Sequence, residues 1–123
     1  MIQSYPFRIV LSDATGSSAQ QLALFALLNL GMVQSLTSGV LSATEAIQRF
    51  YNADNCLYVR KYLRSNEANA IMSHGVQLPD LFDCLPADEA QREFFHELET
   101  IRSLCLTILQ KGRSLGIANR ATG

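Results

Sequence analysis

The apolar run from residue 19 to residue 36 limits what this chain can fold into more than any other feature. It reads AQQLALFALLNLGMVQSL and holds no charged residue. A helix that faces water on one side carries a polar stripe, whereas a helix apolar on every side is buried or lies in a membrane. Asn29 and Gly31 interrupt the run, and a membrane span needs about 20 apolar residues. We therefore predict a central buried helix over about residues 19–38 and no membrane segment.

The rest of the chain adds further helical segments, so we predict an all-α, single-domain bundle of four main helices and one short helix. Ser42 and the glutamate three residues later form a capping box that starts the short helix. A third helix is expected to end at Gly75, and Pro79 is expected to begin one or two separate helical turns. Pro86 then opens the last long helix, whose apolar residues recur at spacings of four and three.

The N-terminal segment carries the chain's one strand signal. Residues 7–11 read FRIVL, which is β-branched and apolar, and Pro6 precedes them. Such a segment pairs with a second copy of the chain, pairs with the C-terminal tail, or forms no strand and lies as an extended arm over the helices. We favour the arm. The predicted domain covers residues 1–123, with residues 1–16 as the N-terminal arm and residues 114–123 as the tail.

The charge content points to a covered surface. Charged residues make up 17% of the chain, against about 25% in typical soluble domains. A small domain has a large surface for its volume, so we expect a partner to cover part of it, most simply in a two-fold homodimer. The C-terminal half of the last helix is more apolar than one core contact requires, which makes Leu104, Leu106 and Leu109 the candidate dimer surface. The alternative is a monomer with a Ser-, Asn- and Gln-rich surface.

Two further features bear on compartment. The net charge is −1, and the three cysteines show no C-x-x-C spacing. Buried thiols in a reducing compartment fit this pattern better than a disulfide framework. The N-terminus has no basic flank followed by an apolar segment of the kind a signal peptide needs. We expect a cytoplasmic protein.

No catalytic constellation stands out in the sequence. Glu93 and His96 have the Glu-x-x-His spacing that places two ligands on one helix face, but carboxylate-bridged metal centres need two such pairs. They are the only, weak, metal candidates, and we expect neither a metal nor another cofactor. The sequence favours a protein that is not an enzyme, and a metal-dependent enzyme is the third hypothesis.

The second hypothesis is a DNA-binding regulator built on residues 42–65. This stretch reads like a small helix-turn-helix whose second helix ends in a basic and aromatic cluster of Tyr58, Arg60, Lys61 and Arg64. Phosphates would be the natural ligands of these cations. Against this, the connection between the two helices lacks a turn glycine.

A competing explanation of the basic cluster is electrostatic. Residues 80–99 hold seven of the eleven acidic residues of the chain, so we expect this acidic segment to pair with the basic residues 49–64. If the pairing crosses subunits instead, it would set the register of a dimer. The function that we favour is therefore non-catalytic: a small, homodimeric regulatory or adaptor protein that binds another, unidentified protein. Nucleic acid is a less favoured partner.

Overall fold

The computed structural model describes residues 7–113, which form five α-helices and no strand. Three of the helices are long and two are short, and the all-α bundle predicted from the sequence is confirmed. Residues 1–6 of the predicted arm and the predicted tail, residues 114–123, lie outside the described part of the chain. The helices are α1 Ser18–Thr37, α2 Ala43–Arg49, α3 Ala53–Tyr58, α4 Asn66–Cys84 and α5 Ala87–Gly112; a 3₁₀ turn, Leu11–Asp13, precedes α1, and a π-helical turn, Val59–Leu63, continues α3.

Two capping boxes fix where α1 and α2 begin. The Ser17 hydroxyl accepts from the Gln20 backbone N–H at 3.2 Å, and the Gln20 side chain accepts from the Ser17 N–H at 3.0 Å. The box predicted for α2 is confirmed, with Ser42 and Glu45 exchanging the same two bonds at 3.1 and 2.9 Å. The bond from the Ser42 backbone N–H also holds the pKa of the Glu45 carboxyl below its usual value. Local sequence alone therefore starts both helices.

Helix α5 lies between α1 and α4 and packs along both, while α1 and α4 contact each other at few points. Five of its core-facing residues are the apolar residues that the sequence places at spacings of four and three along this helix, here called the seam of α5. All five are buried: Phe94, Leu98, Ile101, Cys105 and Ile108. The central position therefore belongs to the amphipathic α5, whereas α1 forms one wall of the bundle.

Helix α1 is buried on one side only. Phe25, Asn29 and Val33 point into the core, but Leu24 is 50% exposed and Leu27 is 55% exposed. The expectation that this helix is buried all round is wrong. Helix α5 and the smaller elements cover a single side of α1, and no other part of residues 7–113 lies over the opposite side.

Helix α4 passes through both residues that were expected to interrupt it. Gly75 is a buried position in the middle of the helix, and a Cβ atom there would lie 2.5 Å from Cδ1 of Tyr51. Glycine is present because the Tyr51 ring packs directly on the α4 backbone. Pro79 also lies inside the helix, which continues because Leu78 and its neighbours pack into the core. The separate helix predicted at Pro79 is wrong.

The N-terminal segment is an arm, as favoured from the sequence. The Ile9 backbone N–H donates to the Arg49 carbonyl at 2.9 Å. Asn55, 2% exposed, holds the arm from α3: its Oδ1 accepts from the Leu11 N–H at 3.1 Å, and its Nδ2 donates to the Ile9 carbonyl at 2.8 Å. One buried amide thus satisfies backbone groups that a strand partner would otherwise satisfy.

Candidate interaction surface

An apolar groove lies where the N-terminal arm, α1 and the π-helical turn meet. Its volume is about 280 Å³. Apolar side chains from all three elements line it, including Val10, Leu24, Leu28, Tyr58 and Leu63. The Tyr58 hydroxyl donates to Gln21 Oε1 at 2.6 Å, which connects the last residue of α3 to the first half of α1. We call this cavity the arm groove.

The arm groove continues into the exposed side of α1. Leu24, Leu27 and Gly31 follow one another at spacings of three and four, so they lie on one stripe of the helix. A Cβ atom at Gly31 would meet no atom within 4 Å. We call these three residues the outer face of α1. The whole helix, Ser18–Thr37, carries no charge, so this face offers a partner apolar contact and no ionic one.

The predicted basic and aromatic cluster is brought together on the surface. Arg60, Lys61 and Arg64 are all exposed. The Tyr62 ring, 56% exposed, packs on the Tyr58 ring with centroids 4.9 Å apart, and Lys61 Nζ lies 5.9 Å from the Tyr62 centroid. We call residues 58–64 the basic turn.

The basic turn has unusual backbone geometry. π-Helical turns are rare in proteins, and those that occur are often found at functional sites. Arg64 ends the turn with φ at +50°, a left-handed conformation that few non-glycine residues adopt. Ser65 then caps α4, because its hydroxyl accepts from the Ala68 N–H at 3.1 Å. The strained residue therefore marks the junction between the turn and α4.

The predicted pairing between the basic and acidic segments is wrong within this chain. The acidic segment forms one end of the bundle and exposes five carboxylates, which we call the acidic end: Asp80, Asp83, Asp88, Glu89 and Glu93. The four ion pairs among residues 7–113 are Arg8–Asp54, His74–Glu97, Arg102–Glu99 and Lys111–Glu67. None of them joins the basic turn to the acidic end, because the two sets of charges lie beside different ends of α1.

The helix pair proposed for DNA binding does not pack as a helix-turn-helix. Helix α2 packs on α4, while α3 packs against the Leu11–Asp13 turn, and the two short helices have few contacts with each other. Asn55, the one good base-reading group in the first turn of α3, is buried and bound to the arm through Leu11 and Ile9. Binding of nucleic acid by the exposed cations stays a prediction, without the docking geometry that suggested it.

The metal candidates do not converge on a site. Glu93 and His96 are both exposed on α5. Among residues 7–113, no three histidine, cysteine, aspartate or glutamate side chains are arranged to hold a metal ion. The half-buried histidine is His74, whose Nδ1 lies 2.5 Å from Glu97 Oε1, a contact that links α4 to α5.

The predicted dimer surface on α5 is only partly open. Leu106 is 39% exposed. Leu104 and Leu109 are half-buried and pack against the chain's own core. The prediction that these leucines pair two copies is not tested by the fold, but each of them is less exposed than Leu24 or Leu27 on α1.

The surroundings of two of the three cysteines keep their thiols protonated. Burial raises the pKa of the Cys105 thiol to about 12 and also raises the pKa of the Cys56 thiol. Cys84 is exposed. The thiolate is the nucleophile, so the two shifted groups stay protonated at neutral pH and behave as packing residues.

Sequence reasoning missed the arm groove and its anchor. The groove depends on which side of α1 faces inward, and a run that is apolar at nearly every position holds no such signal. Asn55 gave a weak signal, since asparagine side chains near a helix N-terminus often bind backbone groups. The basic turn was found because its cations lie close together in the chain.

Comparison with known proteins adds no further assignment. No family model, no curated protein and no solved structure matches this chain. By length and composition, α1 is also the one helix among the described residues apolar enough to cross a membrane, with mean hydropathy 1.2 and 33% of the segment buried. A single such helix is weak support for a membrane span, because core helices of soluble proteins have the same composition.

Proposed function

We propose that this protein is a non-catalytic, cytoplasmic homodimer that acts as a small regulatory or adaptor protein, and that two copies pair through the outer face of α1. The observation that carries the proposal is the half-exposure of Leu24 and Leu27 on a helix without a charge. An apolar stripe of this kind on a soluble domain marks an interaction site. A second copy is the matching partner, because an uncharged face is complementary to itself across a two-fold axis.

The low charge content of the chain supports the same proposal. A monomer of this size would expose α1 and the arm groove together, at the expense of solubility. Gly31 adds a place where a second helix approaches closely, since it presents no side chain. The surface of Leu104, Leu106 and Leu109 on α5 is the competing dimer site.

Sedimentation velocity over a range of protein concentrations tests the proposal. We expect a dimer that the Leu27→Gln variant converts to monomer, because a polar group then replaces an apolar contact at the centre of the face. Leu57→Gln is the matched control, since Leu57 is 54% exposed on α3, outside the face. A monomer at all concentrations refutes the proposal. A dimer that Leu106→Gln dissociates and Leu27→Gln does not moves the interface to α5.

The second candidate function is nucleic-acid binding at the basic turn. It is favoured by the exposure of Arg60, Lys61 and Arg64 and by the lack of an ion pair to any of them among residues 7–113. Changing all three to Gln should abolish salt-sensitive binding to a DNA duplex. The absence of binding by the unmodified protein at low salt rejects this candidate.

A further inference from the structure

The basic turn and the acidic end adjoin opposite ends of α1. Tyr58 in the turn bonds to Gln21, near the start of the helix. At the other end, Phe82 and Asp83 share a cavity with Leu36, in the last turn of α1. Twenty residues of helix span about 30 Å at a rise of about 1.5 Å per residue. Each copy of the chain is therefore positively charged beside one end of α1 and negatively charged beside the other.

Within one copy these charges do not meet. None of the four ion pairs among residues 7–113 connects the two regions. Both regions also expose aromatic rings, with Tyr62 56% exposed and Phe82 47% exposed. Two oppositely charged, partly aromatic surfaces on the same molecule, both open, are complementary to each other on different molecules.

The geometry points to an antiparallel arrangement of the dimer, an inference that rests on the proposed pairing through the outer face of α1. We propose that two copies pack with their α1 helices antiparallel, so that the basic turn of each copy lies against the acidic end of the other. A two-fold axis near Leu27 produces this arrangement and places Leu24 of one copy opposite Gly31 of the second. A parallel arrangement would place the two basic turns together and the two acidic ends together.

The charges set the orientation of the dimer, while the apolar face supplies its affinity. Exposed ion pairs at the rim of an interface contribute little each and are screened by salt. Juxtaposed like charges are unfavourable and suppress the wrong arrangement. The antiparallel dimer therefore weakens as salt increases, whereas a parallel dimer becomes tighter as its repulsion is screened.

Charge reversal tests the arrangement on the full chain. The first variant carries Arg60→Glu and Lys61→Glu, which leave the strained Arg64 in place. The second carries Asp80→Lys and Asp83→Lys, which the fold tolerates because cations are favourable near the C-terminus of a helix. Each variant alone should dimerise about tenfold more weakly than the unmodified protein at low salt. An equal mixture of the two should regain most of the original affinity. One of its two contacts is then the unmodified pair of surfaces, and in the other the reversed residues of one copy face the reversed residues of the second.

A matched control reverses two cations elsewhere. Arg102→Glu with Arg113→Glu changes the net charge by the same amount as the first variant. Both residues are exposed, Arg102 on α5 and Arg113 directly after its last residue. We expect no more than about a twofold change in dimer affinity from this control, because neither residue belongs to the basic turn. An equal loss in the control attributes the effect to net charge and overturns the inference.

Cysteine cross-linking reports the orientation without relying on charge. In a background of Cys56→Ser and Cys84→Ser, Leu24→Cys and Gly31→Cys are made in separate proteins. The antiparallel dimer predicts a disulfide between the two proteins when they are mixed, and little cross-linking of either one alone. Self-cross-linking of the Leu24→Cys protein shows a parallel dimer and overturns the inference.

The outcomes separate this inference from the proposed function. A dimer that Leu27→Gln dissociates, but that neither salt nor charge reversal affects, keeps the proposed function and rejects the antiparallel arrangement. A protein that sediments as a monomer rejects both. Loss of affinity on charge reversal, recovery on mixing and the mixed cross-link together support the inference.

Discussion

Helices α1 and α5 pack against each other along the bundle, yet their solvent-facing sides differ in polarity. The outward side of α5 is mostly polar, with exposed residues such as Arg102 and Lys111. The outward side of α1 exposes Leu24, Leu27 and Gly31 and holds no charge. Both helices therefore contribute to the same core, but only α5 has a polar solvent-facing side.

This difference in polarity shows which sides of the two helices folding requires to be apolar. Folding requires only the inner side of each helix to be apolar, and both helices meet that requirement. A polar outer side on α1 would have been compatible with the same core, because Leu24 and Leu27 add little to it. We therefore propose that the apolar outer side of α1 contacts a second copy of the chain.

The largest test of the comparison contrasts the two sides of α1 at neighbouring positions. Phe25 is 1% exposed and Leu24 is 50% exposed. Phe25→Ala should lower the free energy of unfolding by about 3–5 kcal/mol, because it leaves a large cavity in the core. Leu24→Ala should lower the monomer's free energy of unfolding by less than about 1 kcal/mol, while removing the concentration dependence of Tm that dimerisation causes.

Urea unfolding at low protein concentration measures the monomer, and thermal unfolding over a concentration series measures the dimer. Similar losses of monomer stability for both variants would show that the outer side of α1 is part of the core. The proposed division between a folding side and a binding side would then fail.

The contrast between the two helices also explains what was predictable from the sequence. The seam of α5 was predicted because apolar and polar residues alternate at helical spacing, which shows the direction of burial. In α1 the existence of the helix was predictable but not its orientation, because nearly every position is apolar. The capping box of α2 was predictable because its two partners lie three residues apart.

Features that depend on distant contacts were misread. Gly75 looked like a helix end, but the Tyr51 ring packs on it and requires a residue without a side chain. The basic and acidic segments looked complementary within one chain, but the fold places them beside opposite ends of α1. The cations of the basic turn could be found from the sequence because they lie close together in the chain. The lack of an ion pair to them among residues 7–113 could be known only from the fold.

A smaller test concerns the polar group on the buried side of α1. Asn29 is fully buried, and its Oδ1 accepts from the Tyr51 hydroxyl at 2.7 Å. Tyr51→Phe should cost about 1–3 kcal/mol of unfolding free energy, because that oxygen is left without a donor. Adding Asn29→Leu should recover part of the loss by removing the unsatisfied group.

Tyr58→Phe is the matched control, since it removes a hydroxyl whose bond to Gln21 is only part-buried. Water replaces that bond, so urea unfolding should show a loss below about 1 kcal/mol. Equal losses at both tyrosines would mean that the buried polar pair does not distinguish the inner side of α1 from its surroundings.

The smallest effect is expected on the outer side of α5, where charge modulates stability without determining the fold. Lys111 Nζ lies 2.6 Å from Glu67 Oε2, and this hydrogen bond lowers the pKa of the Glu67 carboxyl below its ordinary value of 4.5. A carboxyl with a lowered pKa in the folded state contributes stability above its unfolded pKa, and loses that contribution as pH falls through the folded pKa. Stability should therefore decline below about pH 4.5 by an amount that Lys111→Gln reduces.

The size of this effect is at most about 1 kcal/mol, because Lys111 is largely exposed and water screens the pair. Urea unfolding of the unmodified protein, Lys111→Gln and Lys111→Arg at neutral and acidic pH measures it, and the Arg variant should retain most of the pH dependence. Identical pH dependence in all three proteins would show that the pair contributes nothing. A loss of several kcal/mol would mean that the polar side of α5 determines the fold after all, and the contrast with α1 would no longer hold.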